Sequence, residues 1–148
     1  MINYIIGGTL LTFTGTNIIN SIVLGTLNTI YSSMIFIKTG YEPNKIINNI
    51  KTEISKLDIK LKLDLINTLI EKIPTNDINK LIENGLHELI SNIKQNIEWI
   101  DNEIIQHNTK WFSGYRDINI DYKLNELKNL TLILDGRLLL LLNMNKVV

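Results

Sequence analysis

The sequence has no cysteine in its 148 residues. That removes disulfides, thiolate catalysis and Cys-ligated metal sites together. There are only two histidines, too few for a histidine-rich metal centre. Alanine is missing as well, although it is the strongest helix former and among the commonest residues. Ile and Asn fill much of the space, in a composition typical of an A/T-rich coding sequence. Individual Asn residues therefore carry little weight as chosen polar contacts. Net charge is absent too: Lys plus Arg and Asp plus Glu both total 15. Only Arg116 and Arg137 carry the guanidinium suited to bidentate phosphate contacts. A neutral, arginine-poor chain lacks the electrostatic footprint of a nucleic-acid binder.

The most informative absence is local. Residues 1–37 contain no charged side chain, whereas the remainder is charged at nearly every helical turn. The chain therefore divides at 38/39. Residues 1–38 form an uncharged hydrophobic N-terminal segment, expected as one long helix. Residues 39–148 form an antiparallel helical body. Within the front, Asn17, Asn20, Ser21, Gly25, Asn28 and Ser32 fall on one side of a helix. Ile19, Ile22, Val23, Leu27, Ile30, Met34 and Ile37 fall on the other. Residues 18–37 are long enough to cross a hydrocarbon core of about 30 Å. Their small and amide stripe would suit packing against another membrane helix. The same pattern suits the central helix of a bundle, since a helix with no charged face must be covered on most sides. A cleaved signal peptide fits poorly, for want of a basic start and a small-residue cleavage site.

Thr39-Gly40-Tyr41-Glu42-Pro43 marks the boundary, with Gly to stop one helix and Pro to start the next. Ile46, Ile50, Ile54, Leu57 and then Ile59, Leu63, Ile66, Ile70, Ile73 recur at helical spacing. Residues 57–65 also alternate like a strand, and a break at 55–58 with Asp58 as a new N-cap reconciles the two patterns. Pro74-Thr75-Asn76-Asp77 opens the next helix. Its stripe of Ile78, Ile82, Leu86, Leu89, Ile93, Ile97, Ile100 and Ile104 reads as a coiled-coil-like seam, available for self-association. Gly85 suggests a close helix crossing. The last helix is expected from Asp121 or Tyr122 to about Asn143. Its five consecutive leucines, 138–142, cover all sides of a helix and so demand neighbours or a partner. The fold class is all-α, a bundle of about four helices.

No catalytic constellation emerges. Glu83/His87 and Glu103/His107 are helical pairs whose histidines lie twenty residues apart and cannot converge. No P-loop, dinucleotide fingerprint or nucleophile elbow is present. We therefore expect no enzyme, no cofactor, no metal, no nucleic acid and no small-molecule substrate. The candidate interaction residues are Trp111, Phe112, Tyr115 and Arg116, an aromatic cluster with arginine around Gly114. It reads either as a helix corner plugging the core or as a binding patch of hot-spot residue types.

Three segments resemble uncharacterised helical proteins of nucleocytoplasmic large DNA viruses, the mimivirus-like giants. They are the uncharged Gly7-Gly8-Thr9-Leu10-Leu11-Thr12-Phe13-Thr14-Gly15-Thr16-Asn17, the run His107-x-x-Lys110-Trp111-Phe112-x-x-Tyr115-Arg116, and Leu134-Asp135-x-Arg137-Leu138. The resemblance transfers no catalytic residue. It implies a viral setting: a structural or interaction protein of the virion or host cytoplasm, with or without membrane association. A protein partner or another copy is then the expected ligand. The alternative is a membrane-active helical protein that forms pores or remodels bilayers.

Overall fold

The computed structural model describes residues 2–6, 9–13, 25, 28, 45–74, 76–110 and 117–146. It opens with an antiparallel pair, β1 (Ile2–Ile6) and β2 (Thr9–Phe13). Ile2 sits opposite Phe13 and Ile6 opposite Thr9, so Gly7-Gly8 is the whole connection. Across these two segments the pairing corrects the helix expected over residues 1–38. Ile, Thr, Tyr and Phe favour the pleated conformation, and Gly-Gly is a preferred two-residue hairpin link. Further on, Gly25 and Asn28 are helical. The rest of 14–44 lies outside the described residues, and with it the choice between membrane and core for that segment. Among the described residues no helix is long and apolar enough to cross a membrane.

From residue 45 onward the described structure is helical: α1 (Lys45–Ser55), α2 (Ile59–Ile70), α3 (Asp77–Asn108) and α4 (Asp121–Lys146). The expected break is present, and Asp58 is the N-cap of α2 as expected, its carbonyl accepting from the Lys62 backbone N–H at 3.2 Å. Asp58 takes φ 51°, ψ 35°, and its side chain makes no capping hydrogen bond. The chain turns there because Asp tolerates the left-handed region better than most residues. The next helix start is capped by a side chain: Asn76 is extended, and its side-chain oxygen accepts from the Asn79 backbone N–H at 2.8 Å. Asn79 Nδ2 donates back to the Pro74 carbonyl, closing the turn.

The three long helices fix each other's direction through side-chain contacts. Arg137 of α4 lies against Gly85 of α3, and Tyr122 packs on Trp99, so α3 and α4 are antiparallel. Lys62 of α2 bonds Asp135 at 2.8 Å, while Ile73 and Met144 line one cavity, so α2 runs along α4 in the same sense. Their shared core comprises Leu63, Ile66 and Ile70 from α2, Leu86, Ile90, Ile93, Ile100 and Ile104 from α3, and Leu127, Leu134 and Leu141 from α4. Each such side chain contributes about 1.5–3 kcal/mol on leaving water. The seam of residues 78–104 is thus largely consumed inside the chain. Leu86, Leu89, Ile93, Ile97, Ile100 and Ile104 are buried in this core, while Ile78 at the start of the stripe is exposed. Gly85 does not mark a forced close crossing. A Cβ there would meet only the end of the Arg137 side chain, at 3.8 Å, an ordinary contact.

Candidate functional site

Three features of the described structure could do more than hold the fold. The first is a polar–aromatic cluster on the flank of α3 beside the start of α4. Trp99 and Tyr122 meet edge to face with centroids 5.3 Å apart. The ammonium of Lys123 stands 6.0 Å from the Trp99 ring centroid and 5.8 Å from that of Tyr122. It also bonds Glu126 at 2.8 Å. That bond, joined by one from the Asn96 amide, holds the Glu126 carboxyl below its usual range. Asn96 is buried, and its Oδ1 is one of two buried side-chain acceptors among the described residues without a hydrogen-bond partner, the other being Asn67 Oδ1. The Lys123–Glu126 ion pair beside two aromatic rings packs the start of α4 against α3.

The second is a cavity of about 290 Å³ between the α2–α3 turn and the end of α4, lined by residues including Ile73, Pro74, Asn79 and Met144. Its polar members, Asn76, Asn79 and Asn145, are engaged in capping the turn and in bonding the Leu141 carbonyl. Lys72 is the single ionisable side chain in its lining. Acid–base work needs a second partner at hydrogen-bond reach, which this lining does not supply.

The third feature is α4 itself, which is apolar on two sides. Leu124, Leu127, Thr131, Leu134 and Leu141 face α2 and α3. On the opposite side Leu132, Ile133, Leu139 and Leu140 stand exposed, Leu132 at 68% and Leu139 at 59%. Gly136 lies between them with open space where a Cβ would be. Asn125, Asn129 and Asn143 extend this stripe at both ends, also exposed. The positions 125, 129, 132, 136, 139 and 143 alternate in steps of four and three, the spacing of a helix-packing seam. Salt bridges border it on one flank: Lys128 with Glu53 of α1 at 2.9 Å, and Asp135 with Lys62 of α2 at 2.8 Å. Such an apolar stripe with a polar border is the usual form of an interaction surface.

The residues singled out from sequence fare unevenly. Trp111, Phe112, Tyr115 and Arg116 lie outside the described residues, as do Asn17, Asn20, Ser21 and Ser32. Gly25 is partly covered and Asn28 exposed, three residues apart on one helical side. Of the helical charge pairs, Lys94–Glu98 forms at 3.7 Å. Glu83 is buried, and desolvation raises its carboxyl above the ordinary range. Among the described residues, no group of three or more His, Cys, Asp or Glu side chains could hold a metal ion. The second stripe of α4 was missed, although its signal is present. Leu132, Ile133, Leu139 and Leu140 fall off the stripe that begins at Leu124, and the pair Leu132–Ile133 recurs seven residues on as Leu139–Leu140.

No family model matches the chain, and no solved structure matches it. Over 99 residues, 67% of the chain, it is 32% identical to an uncharacterised protein of Acanthamoeba polyphaga mimivirus. The match covers 43% of that protein, so the chain spans less than half the length of this relative. The resemblance to uncharacterised proteins of mimivirus-like giant viruses, read from residues 7–17, 107–116 and 134–138, is thereby met by a relative from such a virus.

Proposed function

We propose that the protein is a non-enzymatic structural or interaction protein, a minor virion or membrane-associated viral component, that works by presenting the outer face of α4 to another protein surface. The observation that carries this reading is the exposure of Leu132, Ile133, Leu139 and Leu140 on a helix whose other side is already buried. Leaving four large aliphatic side chains wet on one stripe is unfavourable, and covering them supplies the driving force for association. Light scattering of the purified full chain across a concentration series tests it. A mass above 17.0 kDa that rises with concentration supports the reading. A monomer at every concentration that also captures no protein from infected-cell extract overturns it.

A second reading, a membrane-active helical protein, draws on the uncharged residues 1–37 and on Asn28, which is helical and exposed. In that reading the stripe of Asn17, Asn20 and Asn28 faces water or another copy within the bilayer. Dye-loaded anionic liposomes separate the two. Leakage abolished by Asn20→Leu with Asn28→Leu favours the membrane-active protein, and association without leakage favours the interaction protein.

A further inference from the structure

We infer that the occupant of the outer face of α4 is the same face of a second copy, in an antiparallel pair centred on Gly136; this rests on the interaction reading above and names its partner. The stripe is close to palindromic about that glycine. Leu132 and Ile133 precede it by four and three residues, and Leu139 and Leu140 follow it by three and four. Asn129 and Asn143 stand seven residues before and after it. A two-fold axis near Gly136 therefore lays the Leu132–Ile133 end of one copy on the Leu139–Leu140 end of the other. It also brings an amide to an amide at each end of the apolar patch. Isologous interfaces require this kind of self-complementarity.

Three further observations agree. Gly136 has nothing within 4 Å of a built Cβ, so the backbone of a second helix can approach closely at the centre of the pair. At the exposures of Leu132, Ile133, Leu139 and Leu140, these side chains offer about 400 Å² per copy, roughly 800 Å² in the pair, so the flanking Asn129 and Asn143 must join the contact for it to approach the lower bound of a specific interface. Asp135, which flanks the axis and would approach its own counterpart, is already neutralised by Lys62 at 2.8 Å. The symmetric approach thus does not bring bare carboxylates together.

The absence of native cysteine makes the test clean. Gly136→Cys in the full chain should form a covalent dimer as its main product under mild oxidation, because a crossing at this residue brings the two Cα atoms within disulfide reach. Leu81→Cys, on an exposed position of α3, should not. Leu139→Glu should weaken association roughly tenfold or more while circular dichroism stays unchanged, since it places an unpaired carboxylate in the buried patch. If the wild type associates but ignores both α4 variants, self-association stands and the α4 pairing is overturned. If the wild type is monomeric and the thiol introduced by Gly136→Cys is shielded from labelling, the chain's own residues cover the face and the pairing is overturned as well. If the wild type is monomeric and that thiol labels freely, the face is open, no second copy occupies it, and the pairing is again overturned.

Discussion

Lys128 and Glu53, 75 positions apart in sequence, meet at 2.9 Å and tie α1 to the middle of the bundle. Glu53 also accepts from Lys56 at 2.7 Å. The hydrogen bond from Lys56 and then that from Lys128 lower its carboxyl from 4.5 to about 2. A carboxyl depressed in the folded state contributes stability that is fully present above its unfolded value and is lost as pH falls through the folded one. The Tm advantage of wild type over Glu53→Gln should therefore be constant above about pH 4.5 and vanish near pH 2. It should be small throughout and shrink with salt, because the pair faces solvent. A variant indistinguishable from wild type at pH 7 in low salt would mean that the bridge does not anchor α1.

Glu83 has the opposite sign. Desolvation raises its carboxyl above 4.5, outweighing the attraction of Lys80. Its ionised form is therefore disfavoured by folding, and the penalty is relieved as pH falls through the raised value toward 4.5. Glu83→Gln should raise the Tm at pH 7, with a gain that fades on titration to pH 4. Thermal melts across that range decide it; a variant that is less stable at pH 7 would show that the carboxylate has a stabilising partner.

Gly85 gives the simplest stabilising change. It sits inside α3, where glycine costs about 1 kcal/mol relative to alanine. The space beside it is open enough that a methyl group meets only the Arg137 side chain at 3.8 Å. Gly85→Ala should add about 0.5–1 kcal/mol in urea denaturation. A loss instead would mean that α3 and α4 pack closer than their contacts indicate.

The helical body was legible because its signals are local and repeated. The Pro74–Asn76 boundary places a cap that the structure realises at Asn76, and the 3–4 spacing of Leu86 to Ile104 places the core. The hairpin of β1 and β2 was obscured by hydrophobicity. An uncharged stretch invites a helical reading, and Gly7-Gly8 between two β-prone pentapeptides was the stronger clue. At Asp58 the break was visible but its mechanism was not. Side-chain capping and left-handed backbone both suit Asp, and only φ separates them. The second face of α4 hid behind its leucine run. A helix apolar all round announces that something covers it, but not which side is covered by its own chain.

The two faces of α4 can be told apart by truncation. Leu134 is fully buried against α2 and α3, whereas Leu132, two positions earlier, is 68% exposed. Removing the Leu134 side chain beyond Cβ leaves a cavity in the shared core, so Leu134→Ala should cost about 2–5 kcal/mol. Leu132→Ala removes surface that is wet in the single chain, and should change the stability of the dilute monomer by no more than about 0.5 kcal/mol. The two costs separate by urea denaturation at low protein concentration. Their separation should narrow as concentration rises, because a paired α4 gives Leu132 something to lose. Equal and large costs at every dilution would place Leu132 in an intramolecular interior, and the outer face of α4 would then be core rather than surface.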